Sequence, residues 1–204
     1  MTFLRTLGIL VVSASFALAG AAEISDSPQT DHETNFRSGE AEVSAGGLVL
    51  FSPSIATHNR PTVNYSGGFI QYGHMLSDLK ESGPLRGNFE VLGELCGSGV
   101  FVGDGTYVAS VTFWLRYNLV KSGWKWVPYM QLGGGVTLTD VNHDIFGQDF
   151  NFNLDFAAGV RYLVSPRCSL NAEFRFQHIS NANIAEHNLG INAQGVALSV
   201  SWFF

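Results

Sequence analysis

Charge is scarce in this 204-residue chain, because Lys, Arg, Asp and Glu together make up only 14% of it. The 11 basic residues are outnumbered by 17 acidic ones and form no run, which argues against a nucleic-acid partner. Beyond the N-terminus there is no apolar run of the about 20 residues that a membrane-spanning helix needs. The six histidines lack the spacing of metal ligands. The sequence therefore predicts no helical span, no metal and no other cofactor.

Cysteine is rare as well, since the chain holds only Cys96 and Cys168. In an exported protein such a pair can form a disulfide. In the alternating pattern described below, however, Cys96 falls on the inward face of its strand and Cys168 on the outward face of another. Two free thiols are therefore predicted.

The N-terminus has the layout of a secretory signal peptide over residues 1–22. Arg5 supplies a positive charge, Leu7 to Leu18 form a short apolar stretch, and small residues at 19–22 suit a cleavage site. Residues 23–39 are polar and predict a flexible lead-in. We therefore expect an exported protein whose folded domain covers residues 40–204.

The dominant pattern of the sequence is an alternation of apolar and polar residues with a period of two, which is typical of β-strands with two unlike faces. Eight such stretches follow one another: 41–51, 62–76, 87–97, 105–120, 123–138, 148–165, 168–181 and 191–204. The glycine pairs at 46–47 and 67–68 predict bulges, and so does Pro128, because proline cannot donate to a ladder.

These stretches are longer than the five or six residues of a usual soluble strand. Together with export, low charge and 13% aromatic residues, their length predicts an all-β fold, an eight-stranded antiparallel transmembrane β-barrel. The final strand ends on Trp202 and Phe204, a pattern typical of outer-membrane proteins that the barrel assembly machinery recognises. Because a barrel of this size is filled by its own side chains, function is expected at the loops or on the wall facing the outer-membrane lipids.

The seventh stretch carries polar side chains on its apolar face. His178 and Ser180 continue the phase of Phe174 and Phe176, so they are predicted to face lipid near the boundary of the outer leaflet. A hairpin centred on the loop that follows would pair His178 with Asn192 and keep both on the outer face. Polar groups on a lipid-facing wall are costly and usually functional, which makes this the candidate site.

The residues HISNA at 178–182, followed by N-x-G at 188–190 and a final aromatic strand, resemble the lipid A 3-O-deacylase (PagL) family of outer-membrane acyloxyacyl hydrolases. The resemblance is specific over about residues 168–204 and rests on architecture elsewhere. It implies a carboxylic ester hydrolase of the outer membrane. Its implied substrate is an ester-linked acyl chain of lipid A, the membrane anchor of lipopolysaccharide.

The resemblance also implies a role for each residue of the motif. Ser180 corresponds to the nucleophile and His178 to the general base that removes its proton. Asn181, with backbone N–H groups near Asn183, corresponds to the oxyanion hole. The third member of the triad departs from the family, whose type member has a glutamate where this chain has Asn192. Asparagine can hold an imidazole by a hydrogen bond but offers it no charge, so Glu186 in the loop is the alternative third member.

Two other functions compete with the esterase. A non-enzymatic barrel of a structural or adhesin-like kind would explain the missing carboxylate at residue 192. An acyltransferase barrel would need an acyl pocket in the lumen and would carry its catalytic groups in the loops rather than on the lipid-facing wall. The sequence leaves open which acyl position is removed and whether the barrel forms a homodimer.

Overall fold

The computed structural model describes residues 32–52, 62–79, 83–141 and 143–204. The signal peptide predicted for residues 1–22 lies outside these ranges, as does the first part of the polar lead-in. None of the helices within the described residues is long and apolar enough to cross a membrane.

Eight antiparallel strands form one closed sheet, in which each strand pairs with its sequence neighbours and the last pairs with the first. The strands are β1 Ala41–Phe51, β2 Asn64–Met75, β3 Gly87–Val102, β4 Tyr107–Leu119, β5 Trp126–Thr139, β6 Phe150–Ser165, β7 Cys168–Ser180 and β8 Ile191–Phe203. A 3-10 helix at His32–Phe36 precedes β1, and a four-residue helix, α1, at His143–Phe146 lies between β5 and β6. The predicted eight-stranded barrel is confirmed.

The strands are staggered by ten residues around the barrel. A path through paired residues that starts at Ala41 returns to the same strand at Phe51, ten residues further on. The path runs Ala41, His74, Val91, Leu115, Leu132, Phe156, Phe176, Gln194 and Phe51. In a small barrel such a stagger goes with a strand tilt of about 35–45°. The strands therefore cross the membrane obliquely, which accounts for their length.

The two faces of the wall are polarised as predicted. In β6, Leu154 is 64% exposed and Phe156 38%, whereas Asn153 and Arg161 are buried in the lumen. This is the inverse of a soluble barrel, which buries its apolar face. Cys96 and Cys168 lie on opposite faces, and both are free, as the sequence predicted.

The bulges predicted at the two glycine pairs are wrong. Pairing between β1 and β2 runs unbroken from Ala41 to Leu50, and the register shift of β2 lies at Asn64. The glycines serve close packing instead. A Cβ atom on Gly46 would lie 2.2 Å from the carbonyl oxygen of Leu198.

Pro128 produces no bulge either, because it lies in register with Val160 of β6. The ladder between β5 and β4 begins only at the next residue, Tyr129. The proline thus occupies the end of a ladder, where a missing N–H group is tolerated. A second difference concerns β3, which extends to Val102, beyond its predicted end at residue 97. Glycine-rich sequence hides this extension, because glycine has a low strand propensity.

The lumen is closed by charged side chains rather than open as a pore. Glu42 accepts hydrogen bonds from Arg161 at 2.6 Å and from Arg116 at 3.0 Å, and all three side chains are buried. A second buried group pairs Arg175 with Glu94 at 2.8 Å. Removing one partner of a buried ion pair is strongly destabilising, because the other charge is left uncompensated. These groups fill the centre of the barrel.

Both ends of the lumen are sealed by apolar clusters. Short turns lie on the periplasmic side of outer-membrane barrels, so the end where β1 begins, β8 ends and the short turn between β6 and β7 lies is the periplasmic one. The periplasmic cluster consists of Phe36, Met75, Val120, Val127, Leu163 and Phe203. The opposite cluster includes Ile145 and Phe146 of α1 together with Ile179 and Ile191. A helix between β5 and β6 therefore closes the extracellular end.

The lead-in predicted to be flexible is, from His32 onward, part of the folded barrel. Phe36 is fully buried against Phe203, with ring centroids 5.7 Å apart. Arg86 forms an ion pair of 2.5 Å with Glu33 and lowers the pKa of that carboxyl group. The polar composition of this segment gave no sign of folding, because its contribution to the periplasmic cluster is a single apolar residue, Phe36.

Aromatic side chains form two bands on the outer wall. The periplasmic band comprises Phe89, Tyr117, Trp126, Tyr162, Trp202 and Phe204, and the extracellular band comprises Phe51, Phe101, Tyr107, Phe150 and Phe152. Such girdles flank an apolar zone about 25 Å tall in outer-membrane barrels. The bands define where the wall meets the two membrane surfaces.

Replacing Phe156 by Arg should destabilise the barrel by about 2–4 kcal/mol, because this side chain faces lipid midway between the two bands. Val164→Arg is the matched control on the same strand and face. It lies beside the periplasmic band, so its cost should be about 0–1 kcal/mol. Urea unfolding from lipid vesicles measures both. Equal costs would contradict the assigned depth of β6.

Candidate active site

The end of β7 places His178 and Ser180 on the outer wall. Both side chains are half-buried, whereas Ile179 and Asn181 between and after them point into the barrel and are fully buried. Ser180 is paired with Phe152, a member of the extracellular aromatic band. The two polar residues therefore lie at the extracellular surface of the membrane. They are two positions apart on one face of the strand, which places them about 6.6 Å from each other along it.

Strand pairing brings Asn192 beside His178. The two residues are direct partners in the β7–β8 ladder, which is the hairpin register that the sequence predicted. The Nδ1 atom of His178 lies 2.6 Å from Oδ1 of Asn192. An amide oxygen only accepts, so Nδ1 is the donor of this bond, and in the neutral imidazole Nε2 then has a free lone pair. This is the tautomer that a general base needs.

Gly190 leaves space next to this pair. Its φ of +64° lies in the left-handed region, which favours glycine. A Cβ atom at this position would lie 3.4 Å from Cε1 of His178, 3.5 Å from Cβ of Ser180 and 2.9 Å from the carbonyl oxygen of Ile179. A side chain here would clash with the main chain of Ile179 and would touch the imidazole, so Gly190 belongs to the site, although the sequence marked it only within N-x-G.

The turn after Ser180 is strained and held by asparagines. Ala182 and Asn183 have φ angles of 55° and 63°, which non-glycine residues seldom adopt. The N–H group of Asn183 donates to Oδ1 of Asn181, and the N–H group of Asn181 donates to Oδ1 of Asn188. Strain of this kind persists only where the surroundings enforce it, and it is concentrated at functional sites.

The side chain of Asn181 joins two loops from inside the barrel. Its Nδ2 atom donates to the carbonyl oxygens of Phe146, at 2.5 Å, and of His187, at 2.7 Å. Both amide hydrogens are therefore engaged on the lumenal side of the wall. Asn188 has a similar supporting role, which only the tertiary structure reveals.

The loop between β5 and β6 is tied to its neighbours on both sides. The N–H group of Leu189 donates to the carbonyl oxygen of Ile145. On the other side, Asp140 accepts hydrogen bonds from the hydroxyl and N–H groups of Thr106 and from the N–H group of Tyr107. These bonds lower the pKa of Asp140 to about 2. The candidate site thus rests on a connected layer of loops.

Glu186 and His187 are exposed in the loop above the site. The imidazole nitrogen that a third triad member would orient, Nδ1 of His178, is already bonded to Asn192. In this arrangement Asn192, rather than Glu186, contacts the imidazole. Within the described ranges, no group of three or more His, Cys, Asp or Glu side chains could hold a metal ion.

The family model for lipid A 3-O-deacylase (PagL) matches residues 64–201, which is most of the barrel and includes the whole candidate site. The chain belongs to the PagL family. No curated protein matches it.

Solved structures share the fold of this family member. Neisserial surface protein A (NspA) superposes with a TM-score of 0.59 and 15% identity, covering 82% of this chain and 98% of that one. The outer-membrane enzyme PagL gives a TM-score of 0.50 and 16% identity, with 76% and 97% covered. Ail, the attachment invasion locus protein of Yersinia pestis, gives 0.50 and 13%, with 82% and 99% covered. The chain therefore has the fold of an outer-membrane barrel.

Asn181→Ala should loosen the loops without unfolding the barrel. The change removes the bonds to Phe146 and His187 and leaves the buried oxygen of Phe146 without this donor, at a cost of about 1–3 kcal/mol. Limited proteolysis should then cut the 181–190 loop faster than in the unchanged protein. Gln194→Ala, an exposed position on the same wall, is the control. Unchanged cleavage in both variants would show that Asn181 does not hold the loops.

Proposed function

We propose that the chain is an outer-membrane esterase that removes an ester-linked acyl chain from lipid A. The observation that carries this proposal is the His178–Asn192 hydrogen bond beside Ser180, on the lipid-facing wall at the level of the extracellular aromatic band. Lipid A occupies the outer leaflet, and its ester bonds lie just below its sugar. The site and the scissile bond are thus at the same depth. Membership of the PagL family supports the same substrate class.

In the proposed reaction, Nε2 of His178 takes the proton of the Ser180 hydroxyl as Oγ attacks the carbonyl carbon of the ester. The tetrahedral intermediate collapses with cleavage of the bond to the sugar oxygen, which receives the proton from the imidazolium. Water then attacks the acyl-serine, with His178 again as the base, and the fatty acid leaves. Asn192 holds the imidazole in the tautomer that both steps require.

The oxyanion donors are proposed to lie in the turn Asn181–Asn183. Successive N–H groups of a tight turn form a concave anion site. Two of these N–H groups donate to Oδ1 of Asn188 and of Asn181, so binding an oxyanion requires the turn to release at least one of these bonds. In this proposal the buried side chain of Asn181 supports the turn, and the main chain supplies the donors.

A non-enzymatic barrel is the second candidate, and the uncharged Asn192 favours it. In a serine protease triad the change from Asp to Asn costs about 10⁴ in turnover, largely through the wrong histidine tautomer. Here the amide oxygen faces Nδ1, so the tautomer is the productive one and the cost should be smaller. Mass spectrometry of lipid A from cells with and without the protein decides between the two. An unchanged acyl pattern would favour the structural barrel.

Ser180→Ala should abolish release of the acyl chain, because the nucleophilic oxygen is lost while the wall remains intact. His178→Ala should be nearly as damaging, since an unactivated serine is a poor nucleophile. Both are measured with the refolded protein in detergent and purified lipid A. Gel mobility without boiling confirms that the barrel is folded. Activity in folded Ser180→Ala would rule out this nucleophile.

Substitutions of Asn192 test the third position. Asn192→Ala should lower activity strongly, because His178 loses its orienting bond, whereas Asn192→Glu should preserve or raise it by adding a charge for the imidazolium. Glu186→Ala should be silent. A silent Asn192→Ala together with an inactive Glu186→Ala would move the acid into the loop.

A further inference from the structure

A groove with a volume of about 540 Å³ lies on the outer wall near its periplasmic end. The side chains of Ala45 and Ala172 are small and so leave the groove open, and the larger side chains of Leu198, Val160 and Tyr162 border it. A second groove, of about 500 Å³, shares Leu198 and continues past it toward the extracellular end. Each volume falls within the range of about 300–1,000 Å³ that is usual for ligand pockets. The combined shape is long and apolar, which suits an acyl chain better than a compact ligand.

An aromatic pair marks the periplasmic end of the groove. Trp126 and Tyr162 belong to the periplasmic band, and their ring centroids are 4.6 Å apart. Amphipathic rings of this kind sit at the level of lipid headgroups. The groove therefore starts at the headgroups of the periplasmic leaflet and runs into the hydrocarbon.

Two exposed cations stand at that same end. The N–H group of Leu163 in β6 donates to the carbonyl oxygen of Lys125, and the N–H group of Phe203 in β8 donates to that of Arg167. These bonds fix the main chain of Lys125 and Arg167 at the periplasmic ends of strands that border the groove. Lysine and arginine are the usual partners of phosphate groups.

The distribution of charge strengthens this observation. Within the described ranges, the exposed Lys and Arg residues are Arg37, Lys121, Lys125 and Arg167, all at the periplasmic end. The exposed acids of the extracellular loops are Asp104, Asp144, Asp149 and Glu186. Among the described residues, the exposed cations are thus gathered at the leaflet that holds phospholipids, together with the exposed acid Asp78.

We propose that this groove binds an anionic phospholipid of the periplasmic leaflet. One acyl chain lies against Ala45 and Ala172, and the phosphate is held by Lys125 and Arg167. A second copy of the chain is a poorer occupant, because a two-fold contact through this surface would bring the same cations together. The site is separate from Ser180, which faces the other leaflet, and it does not depend on the proposed esterase.

Native mass spectrometry of the folded barrel in neutral detergent tests this site. Phosphatidylglycerol and phosphatidylcholine with the same acyl chains are the two probes. We expect phosphatidylglycerol to be retained preferentially. The double variant Lys125→Ala/Arg167→Ala should weaken its binding about tenfold or more, because both cations that hold the phosphate are lost. Ala172→Phe should reduce retention of both lipids by filling the groove.

Three control variants locate the effect. Lys121→Ala removes an exposed cation of the same rim that stacks on Trp124, and Leu115→Phe enlarges an exposed wall residue elsewhere. Neither should alter lipid retention. Ser180→Ala should retain the lipid fully, so loss of the esterase and loss of this site are distinguishable. Gel mobility without boiling verifies that each variant is folded.

Two results would overturn the proposal. One is equal retention of the two lipids with no effect of the double variant or of Ala172→Phe. The other is a dimer that Ala172→Phe converts to a monomer without changing lipid retention, because the groove would then seat a second copy.

Discussion

The structure depends on one constraint: within a bilayer every backbone N–H and C=O group must be paired inside the protein. Eight strands meet it by closing on themselves, with a stagger of ten residues from Ala41 to Phe51. Closure fixes the register of each strand, and register fixes which side chains face lipid. Even the glycines follow from it, since Gly46 has no room for a Cβ atom against the neighbouring strand.

Closure also decides what the interior can be. With apolar residues turned outward, the lumen receives Glu42, Arg116 and Arg161, which pair with one another, and apolar plugs seal both ends. A sealed lumen leaves the outer wall and the loops for chemistry. The pair of His178 and Asn192 lies on that wall, while the loops above it are fastened from the inner side. The site thus combines a rigid ladder with a strained turn.

The two membrane surfaces meet different chemistry on this barrel. Extracellular loops carry exposed acids above the candidate active site, whereas the periplasmic rim carries exposed cations below an apolar groove. Because the leaflets of the outer membrane differ in composition, each end faces its own class of lipid. The proposed hydrolysis and the proposed phospholipid site are therefore independent properties of opposite ends of one wall.

The sequence by itself determined the strand count, the phase of each face and the pairing of His178 with Asn192, because alternation with a period of two reports which face a residue occupies. Tertiary structure alone decided the rest. Phe36 plugs the barrel, Asn181 joins two loops and Gly190 forms a left-handed turn beside the imidazole, against the main chain of Ile179. These roles depend on contacts between segments distant in sequence or on a left-handed backbone, and neither leaves a periodic trace. The predicted bulges failed for the same reason, since a glycine pair looks alike whether it interrupts a ladder or lets two strands approach closely.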